Sequence, residues 1–124
     1  MKIKITTKST GTITATLTEE NPEIAKAFTQ ALPITGQANT WGDEIYFTVP
    51  VEATEENSKP VVELGDIAFW PPGNAFCIFF GRTPMSRGDE IRPASPVNVF
   101  GKIDGDPTVF KKVRSGEKVR IEKA

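Results

Sequence analysis

The sequence predicts a mainly β fold, an antiparallel sheet closed or nearly closed into a barrel, with one short helix at an end. Three observations predict it. Apolar and polar residues alternate in short runs along much of the chain, which is the period of a half-buried strand. Glycine, proline and asparagine punctuate those runs at close intervals. A single segment carries the three-and-four spacing of an amphipathic helix. About seven or eight short strands favour a barrel over a sandwich, which stays open as the alternative, because closure removes exposed sheet edges.

The first run, Met1 to Thr7, turns Ile3 and Ile5 to one side. After a turn at Gly11, Thr12 to Thr18 continues with Ile13, Ala15 and Leu17 inward, so the two runs are expected to pair as a hairpin. The helix follows. Asn21 suits its cap, Pro22 its first turn, and Glu23 the positive end of its dipole. Ile24, Ala25, Phe28, Ala31 and Leu32 form the apolar stripe, and Pro33 ends it. Such a helix is expected to plug an open end of the sheet.

Alternation returns from Asp43 to Val49, with Ile45, Phe47 and Val49 on one face and Glu44, Tyr46 and Thr48 on the other. The polar stretch from Glu52 to Lys59 reads as a loop. Val61 to Trp70 and Phe76 to Phe80 read as strands about the turn Pro71-Pro72-Gly73-Asn74, in which Gly73 or Asn74 can take positive φ. Thr83 to Pro96 is a long loop, and Val97 to Ile103 and Lys118 to Glu122 close the sheet, with Gly101 marking a bulge or corner.

Composition bounds the function. The length of 124 residues suits one domain spanning 1–124, and 38% hydrophobic with 25% charged residues is an ordinary globular balance. Fifteen basic against sixteen acidic residues leave a net charge of −1, so no basic surface for nucleic acid is expected. There is no histidine, the commonest general base and transition-metal ligand. Cys77 is the single cysteine, which excludes an internal disulfide and a cysteine-rich metal cage. No metal or other cofactor is expected. No apolar run approaches the roughly 20 residues of a membrane span, and the alternating N-terminus does not resemble a signal peptide; the expectation is a cytoplasmic protein without a membrane partner.

Short motifs add little. Arg87-Gly88-Asp89 matches a cell-adhesion tripeptide but reads as a turn with solvated charges. The neighbouring carboxylates Asp43-Glu44 and Asp89-Glu90 read as surface charge, since neighbours on a strand face opposite sides. Gly101-Lys102-Ile103-Asp104-Gly105 lacks the strand–turn–helix context of a phosphate loop. The basic tail from Lys111 to Lys123 reads as a solvated strand face.

The informative stretch is Gly65 to Gly81, rich in aromatic residues. Period-two logic places Ile67 and Phe69 opposite Ala68 and Trp70, and Phe76, Ile78 and Phe80 opposite Ala75, Cys77 and Phe79. One row of each strand lines the barrel. The other is covered by the helix or the long loop, or it forms an apolar groove for a ligand.

Together with Arg82-Thr83-Pro84-Met85-Ser86 and Pro96-Val97-Asn98-Val99-Phe100-Gly101-Lys102-Ile103, this stretch resembles a small uncharacterised prokaryotic family with a cyclophilin-like β-barrel, over almost the full chain. Gly73 to Ile78 and Val99 to Ile103 are also similar to the runs carrying part of the active groove in true cyclophilins, which isomerise the bond before proline. The resemblance places the cyclophilin groove arginine near Thr48, the glutamine at Ala75, the phenylalanine at Cys77 and the tryptophan near Met85. None of the four matches. Without the arginine, nothing there stabilises the twisted transition state, so the resemblance implies the barrel and a groove but not the catalytic set.

Three functional readings follow. The first is a binding domain for a small molecule or peptide, with a groove floored by Trp70, Ala75, Cys77 and Phe79 and with Tyr46, Thr48, Arg82 and Met85 at its margins. Trp and Tyr give apolar bodies with polar tips, and Arg82 is suited to a carboxylate. The second is a peptidyl-prolyl isomerase with a non-standard site. The third is an interaction subunit, using the same face for another protein or for a homodimer.

Overall fold

Residues 1–124 are all described by the computed structural model. The chain forms β1 (Lys2–Thr7), β2 (Gly11–Leu17), α1 (Pro22–Gln30), β3 (Ile34–Gln37), β4 (Asn39–Thr40), β5 (Glu44–Thr48), β6 (Asp66–Trp70), β7 (Ala75–Phe79), β8 (Asn98–Ile103) and β9 (Lys118–Lys123). These nine strands make one antiparallel sheet in the order β3-β9-β1-β2-β8-β6-β7-β5-β4. The sheet curls until β3 comes over β5, where a side chain at Gly36 would run into the Phe47 ring. The barrel is nearly closed, and one short helix accompanies it.

The first hairpin forms as expected, with Ile3 opposite Ala15 and Ile5 opposite Ile13. Ile3, Ile5 and Ala15 are sealed inside, while Ile13 and Leu17 are half-buried against the same core. Helix α1 covers the interior with Ile24 and Phe28. The Phe28 ring lies 5.2 Å from that of Phe76 and 4.9 Å from that of Phe100, distances at which aromatic pairs add to simple area burial. The helix ends at Gln30, before Ala31 and Leu32, because its last turn tightens: the Ala31 N–H donates to the Phe28 carbonyl and the Leu32 N–H to the Thr29 carbonyl.

Asn21 occupies the cap position, but its side chain does not cap the helix. It is fully buried, donating to the Val99 carbonyl at 2.7 Å and accepting from the Asn57 N–H at 2.6 Å. The free N–H groups of Glu23 and Ile24 donate instead to the Glu56 carboxylate, which reaches in from the 52–59 loop.

Several bounds differ from the sequence expectation. The expected strand from Val61 to Trp70 begins only at Asp66, because Gly65 at φ 90° and a turn closed by the Asp66 carboxylate on the Glu63 N–H break it. Within the turn Pro71 to Asn74, the left-handed residue is Asn74, at φ 45°. The register of β6 on β8 shifts from Ile67–Gly101 to Ala68–Val99, so a bulge lies beside Gly101, at Phe100. Two elements carry no strong sequence signal. Strand β3 turns Ile34 and Gly36 inward, and Ala38 follows just beyond its end; two of these three are too small to show as apolar alternation. Residues Pro107–Lys112 form a 3-10 turn, capped by Asp106 on the Thr108 N–H, which buries Phe110.

Candidate functional site

The two rows predicted for β6 and β7 separate as expected. Ile67, Phe69, Phe76, Ile78 and Phe80 belong to the barrel core. Ala68, Ala75, Cys77 and Phe79 belong to a second, smaller cluster on the outer face. All five residues of β7 are buried, so the strand is apolar on both sides.

The long loop covers most of the outer row. Ile91 and Val97, with Val62, pack over Phe79, Ala75 and Ala68. The covering is pinned by hydrogen bonds. Ser86 Oγ accepts from the Thr83 N–H at 2.9 Å and the Arg92 N–H at 3.2 Å, and the Thr83 hydroxyl donates to the Arg92 carbonyl. Isolated bridges join Lys59 to Val97 and Val62 to Ile91. At the far end, Trp70 Nε1–H donates to Ser95 Oγ at 2.7 Å.

One part of the outer face stays open. A pocket of about 210 Å³ lies between β5, the end of β6, the middle of β7 and the loop, lined by Trp41, Glu44, Tyr46, Trp70, Cys77, Pro93, Ala94 and Val97. Tyr46 sits directly opposite Cys77 in the β5–β7 register, and Glu44 lies two residues before Tyr46 on the same outward row.

Glu44 is not the surface charge that its place beside Asp43 suggests. It is only 6% exposed. Burial pushes its carboxyl up to about 7, a rise that a hydrogen bond with the Cys77 thiol partly offsets. Burial, with the Glu44 carboxylate beside it, pushes the Cys77 thiol well up, so at neutral pH it is a packed thiol rather than a thiolate. Asp43, by contrast, is half-buried on the other side of the chain, 3.8 Å from the Lys111 ammonium.

Of the eight residues expected to form the groove, Tyr46, Trp70 and Cys77 line the pocket. Ala75 and Phe79 share the outer row but lie sealed beneath the loop. Thr48 is exposed past the end of the pocket, its hydroxyl donating to the Gly73 carbonyl. Arg82 and Met85 are exposed on the loop, and Arg82 donates to the Ser86 carbonyl rather than pointing to the pocket. The sequence reading missed Trp41, Glu44, Pro93, Ala94 and Val97. Glu44 was legible in principle, since alternation already put it on the face of Tyr46. The loop residues were not, because no local pattern says where a long loop folds back.

A nearly closed antiparallel barrel with one short helix defines the class. The chain belongs to the cyclophilin-like family, whose profile matches residues 1–122. It is similar to the hypothetical protein AF2241 from Archaeoglobus fulgidus, known from a solution structure: 50% identity, a TM-score of 0.85, and coverage of 100% of this chain and 95% of that one. No curated protein matches. That relative is prokaryotic, and the barrel is the one expected from the sequence.

Proposed function

We propose that this chain is a non-isomerase binding barrel that takes one small, largely apolar group into the pocket beside Trp70. The observation that carries the reading is selective coverage. The loop seals Ala68, Ala75 and Phe79 but leaves Trp41, Tyr46 and Trp70 half-buried around a cavity with mostly apolar walls. Half-buried aromatic residues grouped around a cavity are the composition of a recognition site. The volume of about 210 Å³ is below the roughly 300–1,000 Å³ of pockets for drug-sized ligands, which supports a compact headgroup or a single side chain.

Prolyl isomerisation is disfavoured by the same composition. No arginine lines the pocket, and Thr48, where the resemblance places the cyclophilin arginine, lies outside it. Capture of a carboxylate by Arg82 is likewise unsupported, because the charged group in the pocket is acidic.

The test is chemical-shift mapping with small branched alcohols and a short proline-containing peptide, using the Trp70 indole N–H as reporter. Binding should shift that signal together with Tyr46 and Cys77. Replacing the exposed Ala94 with Trp fills the pocket without touching either core, and affinity should fall at least about tenfold. Shifts absent for every probe, or unchanged in the Ala94→Trp variant, would remove the proposed site.

A further inference from the structure

Taking that pocket as the binding site, we infer that its ligand class is an organic cation, an alkylated ammonium headgroup seated over Glu44 and among Trp41, Tyr46 and Trp70. Three features of the pocket lead there. First, it holds one carboxyl and no basic side chain, so the only charge its lining can carry is negative. Once ionised it would repel an anion, and a purely neutral guest would cover it without a counter-charge. Second, three of its eight lining residues are Trp or Tyr, the side chains whose π-systems attract ammonium groups. Third, the pocket is small enough that a bulky chain would have to stay outside, which suits a compact headgroup with a tail in solvent.

No basic side chain of the chain forms a salt bridge with Glu44. On the facing strand β7 the titratable neighbour is the Cys77 thiol. On its own strand, Tyr46 is a neutral phenol on the same row. From the loop, Pro93 and Ala94 carry no charge, and the adjacent Arg92 is committed to Glu90 at 2.6 Å. Lys111 is turned to Asp43. Arg92 and Lys111 are thus paired elsewhere, and no salt bridge reaches Glu44, which is buried.

Ionisation and cation binding are therefore linked. A carboxyl that holds its proton to about pH 7 must release it to pair with a cation, so affinity for a permanently charged ligand rises as pH rises through neutrality. A neutral ligand of the same shape gains nothing from that ionisation and is weakened where it covers the bare carboxylate.

The experiment compares choline with its uncharged carbon isostere, 3,3-dimethylbutan-1-ol. Each is titrated into the whole protein at about pH 5.5 and about pH 8.5, with calorimetry and the Trp70 indole signal as readouts. Choline should bind about tenfold or more tightly at the higher pH, while the isostere binds no more tightly there than at the lower pH. In Glu44→Gln the two ligands should converge and the pH dependence should vanish. The wild-type comparison alone decides the matter if that variant folds poorly. If the isostere matches choline at both pH values, the cation assignment falls and the pocket stands. Choline binding unaltered by Glu44→Gln would refute the role of Glu44. If neither compound moves the Trp70 signal, the cation assignment falls and the pocket reading falls with it.

Discussion

At Glu44 a single carboxyl couples the pocket to the stability of the barrel. Its proton is held more firmly in the folded chain than in the unfolded one, because burial penalises the anion. The resulting stability is fully present below the ordinary value of 4.5 and is lost as pH rises through about 7. The span corresponds to roughly 3 kcal/mol at most. Asp66 shifts in the same direction for the same first cause, offset in part by the Glu63 N–H and Lys102, so it adds a loss that begins lower. Asp104 and Glu117, held by Thr16 and Ser9, shift down and work in the opposite sense at acid pH. Urea unfolding at about pH 5 and about pH 8 should therefore show the wild type weakening across that window, with Glu44→Gln nearly flat and at least as stable at the upper value. An equal slope in the two proteins would show that Glu44 ionises as an ordinary surface acid.

Helix α1 owes its start to two side chains from different places. Glu56 serves its free N–H groups from a loop, and Asn21 uses its amide to tie that start to β8 and to the same loop. These roles have different costs. Glu56→Ala removes a half-buried, charge-assisted cap and should cost about 1 kcal/mol, with faster hydrogen exchange at Glu23 and Ile24. Asn21→Ala strands a buried carbonyl at Val99 and an N–H at Asn57, and should cost more, about 2 kcal/mol or above. Equal costs would mean that Asn21 acts as an ordinary cap. The sequence showed that a helix begins at Asn21, since polar residue, proline and acid stand in the right order. It could not show that the capping group is Glu56, which is 35 residues away and brought near only by the fold.

Across the whole molecule, closure depends on the absence of a side chain. Strand β3 passes so near β5 that a methyl group at Gly36 would occupy the place of the Phe47 ring, which is itself packed 5.5 Å from Phe76. Gly36→Ala must displace that ring and disturb the aromatic stack under α1. A loss of about 1–3 kcal/mol is expected in thermal unfolding, the cost of overpacking a dense core. A variant as stable as the wild type would indicate that the barrel is open between β3 and β5.

Local periodicity was enough to determine the strands of the first hairpin, the helix, and the division of Ile67, Phe69, Phe76 and Ile78 from Ala68, Ala75, Cys77 and Phe79. Side chains on a strand alternate whatever surrounds them, so a row can be read before its neighbours are known. Which part of the outer row would be sealed and which left open was decided by the loop from Thr83 to Val97, through Ser86, Thr83 and Ser95. The burial of Glu44 was decided in the same way. Solvation depends on what other segments lie overhead, and a property that depends on distant segments has no local signal. The alternation placed Tyr46, Trp70 and Cys77 on one face, and the folded loop turned part of that face into a pocket with an acid at its base.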